Sequence, residues 1–157
     1  MACTLVFLLR DRQILLGLKK RGLGAGRFSG VGGKIEPGET PREAAIRECE
    51  EEIGVTPLEL AEVGDLRFLM DADREPWLIV AHAFTCREWQ GRPGETTEFA
   101  PRWFPVGEVP YDTMWADDRV WLPRVLAGEY VRARFSFDAA ERLVSSEIGG
   151  VDALPAG

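Results

Sequence analysis

The chain has 157 residues, 45% of them hydrophobic, and 19 Lys and Arg against 26 Asp and Glu leave a formal net charge of −7. That size and apolar content predict one globular domain over 1–157 and exclude a disordered or fibrous chain. No apolar run approaches the ~18 residues of a membrane span, and the stretch Leu5–Leu9 is only strand-sized.

No basic flank precedes that stretch and no small-residue cleavage site follows it, so no secretory leader is read. Cys3, Cys49 and Cys86 are far apart and form neither a disulfide framework nor a C-x-x-C metal pair. That usage predicts a reducing, cytoplasmic setting. The charge is unevenly spread: residues 1–35 carry a net +6, residues 36–52 a net −5, and the rest −8. An acidic chain is poorly suited to a nucleic-acid polymer, whose binding depends on phosphate neutralisation. A basic block beside a glutamate-dense one suits a small phosphorylated ligand that arrives with a divalent cation.

Taken in chain order, residues 3–9 and 13–19 alternate as strands about the charged turn Arg10-Asp11-Arg12. The glycine-dense stretch 22–33 can bring backbone amides to a phosphate, or can simply be a flexible connector. A helix is predicted over 41–53. Thr40 is its N-cap, Pro41 its first residue, Glu43 the capping-box partner and Gly54 the stop. Strands are predicted at 60–69, 77–86, 102–106 and 130–138. A second helix falls within 117–128, with Asp117 or Asp118 as cap and Pro123 inside it. Residues 139–157 predict no more than a final strand or helix. The mixture points to an α+β domain with a mixed sheet and few helices.

On the 41–53 helix, Glu48, Glu51 and Glu52 share one arc opposite Ala45, Cys49 and Ile53. Like charges at i, i+3 and i+4 repel, and they sit at the helix end where the macrodipole disfavours anions. A hard divalent cation resolves the conflict; a solvated acidic face is the alternative reading.

The wider pattern GKIEPGETPREAAIRECEEEIGV, residues 33–55, resembles the Nudix box, G-x5-E-x7-R-E-U-x-E-E-x-G-U with U aliphatic. Gly33, Glu39, Arg47, Glu48, Glu51, Glu52, Gly54 and Val55 fall in register, and Cys49 at the first U is the departure. The resemblance implies an α/β/α sandwich with a central mixed sheet, and hydrolysis of a phosphoanhydride assisted by Mg²⁺ or Mn²⁺. It implies metal ligation by Glu48, Glu51, Glu52 and the Gly32 carbonyl, with Glu48 the first candidate base and Arg47 orienting Glu39 or Glu48. Glu98, in the 94–99 turn, matches a further metal carboxylate of some members. Lys19, Lys20, Arg21 and Arg27 lie just upstream, and a phosphate contact is expected from at least one of them, a solvated basic strand end being the alternative.

The stretches KKRGLGAGRFSGVGGK (19–34) and MWADDRVW (114–121) resemble the oxidised-purine nucleoside triphosphatases within that family, which act on 8-oxo-dGTP and 2-hydroxy-dATP. The resemblance implies that Trp115 stacks on the base and that Asp117 and Asp118 read its edge. It also implies that Thr4, Lys19, Ser29, Gly32, Gly33 and Lys34 contact the substrate. On the residues alone, the favoured reading is Trp115 as core and the Asp pair as a helix cap. Ser29 and Leu23 depart from the Asn and the aromatic of the subfamily, which opens the choice between guanine and adenine. The expected partner is a free nucleotide, met by a monomer away from any membrane. Hydrolysis of ADP-ribose or a dinucleoside polyphosphate, or non-catalytic nucleotide sensing, are the competing readings.

Overall fold

A computed structural model describes residues 1–149 of the chain. Among the described residues there are eight strands: β1 Ala2–Arg10, β2 Gln13–Lys19, β3 Phe28–Ser29, β4 Thr56–Met70, β5 Trp77–Gln90, β6 Phe99–Pro105, β7 Val131–Phe137 and β8 Leu143–Gly149. They form a mixed sheet in the order β3-β2-β1-β5-β4-β7-β8, with β6 also paired to β2. The β1–β5 and β4–β7 pairs are parallel and the others antiparallel.

One helix covers each face. Helix α1, Pro41–Ile53, packs Ala45, Cys49 and Ile53 against Val6, Leu8, Val31 and Phe84. Helix α2, Asp118–Leu126, packs Trp121, Leu122 and Val125 into the other cluster, with Phe7, Leu66 and Phe135. The strand period of two divides β1 between these layers, Phe7 and Leu9 to one side and Val6 and Leu8 to the other. This is the expected α/β/α sandwich.

The helix read at 41–53 has those bounds, and its caps are as expected. The Glu43 amide donates to Thr40 Oγ1 at 3.1 Å, the Thr40 amide to Glu43 Oε1 at 2.9 Å, and Gly54 sits at φ 72. Cys49 is wholly buried, and burial pushes its thiol pKa far up, so it packs as a small hydrophobe. The turn after β1 is the predicted one, tightened by positive φ at Asp11 and Arg12.

Other boundaries moved. Strand β4 starts at Thr56, four residues before the predicted 60, because its N-terminal third is irregular. Register shifts at 57–59, 59–61 and 62–64 break the alternation that marks a strand. Helix α2 runs 118–126 and tolerates Pro123. Asp117 occupies its N-cap position without capping it: the side chain makes no cap bond and accepts instead from Trp121 Nε1 at 2.7 Å. Within 139–157, β8 is the strand alternative; residues 150–157 lie outside the described residues.

Candidate functional site

The acidic half of the site is built on α1 and the loop before it. Gly32 and Gly33 cross β1 so closely that a Cβ at Gly32 would lie 1.7 Å from the Thr4 carbonyl oxygen. A Cβ at Gly33 would meet the Glu48 carboxyl at 2.6–2.9 Å. Glycine is therefore a packing requirement at position 32, where the obstacle is backbone, and at position 33 it leaves room for the Glu48 carboxyl to reach the loop.

Arg47 organises the carboxylates around it. Its Nε and Nη2 donate to Glu39 Oε2 and Oε1 at 2.7 and 2.9 Å, a two-point pair. Its Nη1 donates to Glu48 Oε1 at 2.9 Å and to Glu51 Oε2 at 3.3 Å, and Nη2 also reaches the Lys34 carbonyl at 3.0 Å. The Arg47 bond holds the Glu39 pKa down to about 2. Arg47 therefore bonds both Glu39 and Glu48, the two glutamates named as its alternatives.

Glu48 and Glu52 meet carboxyl to carboxyl. Burial first, then the Glu48 charge and their mutual hydrogen bond, push Glu52 up to about 8, while Lys19 and the Gly32 amide oppose the shift. Two carboxyls brought together beside a glycine loop form an all-oxygen donor set with an excess of negative charge. That chemistry fits a hard divalent cation, which takes one or two carboxylates and completes its shell with water and substrate phosphate.

The other predicted ligands stand apart. Glu51 faces Arg47 and is largely exposed, and the Glu98 carboxylate lies 3.6 Å from Arg21 on the surface. Among the described residues no three His, Cys, Asp or Glu side chains converge as a complete metal cage. The loop bearing Glu98 is nonetheless tied to the end of α1, since Thr96 Oγ1 donates to the Glu52 carbonyl at 2.9 Å.

A pocket opens on the opposite face of β1. Cys3, Leu5 and Phe7 line it with Lys19, Leu23, Gly24, Ser29 and Gly30, and Phe68, Met70, Ile79, Ala81 and Phe137 line it too. Trp115, Asp117 and Asp118 complete it, so the tryptophan and both acids do face one cavity. Both acids are buried. Desolvation, and next the Asp117 charge, raise Asp118 well above the carboxylate range. Burial carries Asp117 to about 6 against the opposing Trp121 bond. The pair therefore retains a proton where ordinary carboxylates have lost theirs.

Several substrate-binding expectations need restating. Thr4 does not line this pocket; strand alternation turns it to the α1 side, where it is buried with Oγ1 unpartnered. Its neighbours Cys3 and Leu5 take the pocket positions. Ser29 lines the pocket, but its hydroxyl is spent on the Gly30 carbonyl at 3.1 Å. Lys34 is exposed and contributes its carbonyl to Arg47.

Of the upstream cations, Lys20 bonds Glu95 and the Thr96 carbonyl, and Arg21 pairs with Glu98. Arg27 stacks on Trp115 with its Cζ 4.1 Å from the ring centroid. Lys19 alone of the four both lines the pocket and is close enough to influence Glu52, so it joins the two halves.

Comparison with known proteins agrees with this geometry. The NUDIX domain model matches residues 1–125. The chain is 37% identical over 151 residues, 96% of each chain, to the oxidized purine nucleoside triphosphate hydrolase of Danio rerio. The same identity and coverage hold for the Mus musculus protein of that name. The MutT protein of Bacillus halodurans shares the fold at a TM-score of 0.85 and 24% identity, over 98% of this chain and 99% of that one. An Arg47-centred box, a carboxyl pair held against a glycine loop and a sequence match over most of the chain lead to one conclusion: the protein belongs to the NUDIX family of hydrolases.

Proposed function

We propose that this NUDIX hydrolase converts oxidised purine nucleoside triphosphates, such as 8-oxo-dGTP or 2-hydroxy-dATP, to the monophosphate and pyrophosphate. One observation carries the reading. A tryptophan and two buried acids that retain a proton share a cavity, and Lys19 connects that cavity to the Glu48–Glu52 pair. The names of the two animal relatives support the same substrate class.

Trp115 offers a broad apolar face to a purine. Asp118, kept protonated by burial, can donate where Asp117 accepts, and such a pair reads a purine edge of mixed donors and acceptors. Either tautomeric pattern can then be matched by exchanging the proton, so one pocket serves both guanine and adenine derivatives. Lys19 is placed to neutralise phosphate charge beside the base.

Glu48 and Glu52, with the Gly32 carbonyl, are the residues that would hold the divalent cation, Mg²⁺ or Mn²⁺; Glu51 and Glu98 are further donors if they turn inward. Such a cation, when bound, neutralises phosphate charge and lowers the pKa of water. Arg47 fixes Glu48 and Glu39 relative to Lys34, so the carboxyl that accepts the proton of the attacking water is oriented before substrate arrives. Glu48 is our choice for that acceptor. The reading carries with it a monomer of one domain that meets free nucleotides in the cytoplasm. The absence of a disulfide pattern supports that location, and among the described residues no helix is long and apolar enough to cross a membrane.

The test is a kcat/KM series over 8-oxo-dGTP, 2-hydroxy-dATP, dGTP, dATP, ADP-ribose and a diadenosine polyphosphate, with Glu52→Gln alongside. We expect the oxidised purines to be preferred and the variant to be inactive. Equal turnover of ordinary and oxidised purines would end the sanitation reading. Preference for ADP-ribose would replace it, and no turnover at all would leave a sensor.

A further inference from the structure

Trp115 is held from several sides, and the sequence resemblance explains none of the holders. The Arg27 guanidinium lies 4.1 Å from its ring centroid, yet Arg27 is absent from the pocket lining that Trp115 forms. The guanidinium thus lies over one face of the indole without itself lining the cavity, which points to the face turned away from it. Gly24 abuts the indole nitrogen edge, where an added Cβ would lie 2.7 Å from Nε1. Phe137 meets the ring at 80° with centroids 5.2 Å apart.

Arg27 is in turn fixed by Glu141, from the turn between β7 and β8, with Nη1 to Oε1 at 3.3 Å across 114 residues of sequence. Glu141 adopts φ 62, a left-handed conformation that glycine or asparagine occupies with less strain. Glutamate there carries a backbone strain that glycine would avoid. Here the side chain spans the gap to Arg27.

Resting on the purine reading above, we propose that Arg27 and Glu141 are positioning residues. They clamp the outer face of Trp115 so that its inner face is set for stacking before the nucleotide binds. The physical gain is twofold. An indole already ordered loses less conformational freedom on binding. A guanidinium on the outer face also draws on the ring's electron density, which favours a second π-system on the inner face. The base site thereby depends on a turn that no lining residue belongs to.

The experiment compares wild type with Arg27→Met, Arg27→Lys and Glu141→Gln. Two quantities are read: kcat and KM for 8-oxo-dGTP, and the inhibition constant of the phosphate-free nucleoside 8-oxo-deoxyguanosine. For Arg27→Met we expect KM and the nucleoside constant to rise by the same factor, about 5- to 30-fold, the range of a partly desolvated cation–π contact. kcat should change less than about twofold, the pattern expected when ground-state and transition-state binding fall together. Arg27→Lys should recover part of the loss, and Glu141→Gln should show a smaller loss of the same kind.

A rise in KM with an unchanged nucleoside constant would make Arg27 a phosphate contact and overturn the clamp. Unchanged values in a wild-type-like background would overturn it as well, while leaving the purine reading intact. If wild type neither hydrolyses purine triphosphates nor binds the nucleoside, the purine reading fails and the clamp falls with it.

Discussion

Arg47 and Glu39 meet in a two-point ion pair, Nε to Oε2 at 2.7 Å and Nη2 to Oε1 at 2.9 Å, and the same guanidinium holds Glu48. One planar group thus locks the loop before α1 to the carboxyl that faces it. Lysine keeps the charge but offers a point donor in place of a fork. Arg47→Lys should lower kcat by about 10- to 100-fold, since hydrogen bonds to charged groups contribute about 1.5–3 kcal/mol each. Far-UV circular dichroism should be unchanged. Activity within threefold of wild type would show that the fork is unnecessary.

Glu48 and Glu52 repel when both are charged, so a bound divalent cation should stabilise the fold. Saturating Mn²⁺ or Mg²⁺, at about 100 times its dissociation constant, contributes about 2.7 kcal/mol. For a chain of this size that raises Tm by about 5–10 °C, and chelation should reverse it. Glu52→Gln should lose most of the metal-dependent shift and nearly all turnover. An equal shift in that variant would place the cation elsewhere.

The buried acids predict a pH effect of definite sign. Asp117 and Asp118 have folded-state pKa values above their ordinary ones. Their contribution to stability is therefore full below about pH 4 and is lost as pH rises through about 6 and above. Base reading needs the retained proton, so KM for 8-oxo-dGTP should climb over the same upward range. Asp118→Asn is expected to raise Tm at pH 8 by a few degrees and to flatten the KM profile. A KM that falls with rising pH would contradict the protonated-donor assignment.

Ser29 offers the pocket a hydroxyl already bonded to the Gly30 carbonyl, and Leu23 lies at the rim in place of an aromatic. A site that hydrogen-bonds a substrate group rejects analogues lacking it far better than an apolar wall does. Ser29→Asn should shift the ratio of kcat/KM for 8-oxo-dGTP over 2-hydroxy-dATP by about tenfold toward guanine, the effect of roughly one added hydrogen bond. Competing the two substrates in one reaction measures that ratio directly. An unaltered ratio would remove position 29 from base selection.

The amino-acid sequence by itself determined helix α1 with both of its caps, the glutamate arc, and the register of the box. These are local matters. A period near 3.6, a Thr40–Glu43 capping box and a Gly54 stop involve neighbours a few residues apart, and their physics needs no tertiary partner. That Trp115, Asp117 and Asp118 belong to one site was legible only through the family resemblance, because the residues by themselves also fit a core position and a helix cap. Tertiary structure alone decided which side of β1 faces the base. Alternation separates Cys3, Leu5 and Phe7 from Thr4, Val6 and Leu8, but both sets pack against a covering layer, the first partly and the second fully buried, so hydrophobicity does not say which set meets the cavity. It also decided the fate of Arg27. From its neighbours it reads as one more cation for phosphate; its stacking on Trp115 and its bond to Glu141 join segments 88 and 114 residues distant, and no local pattern records contacts of that range.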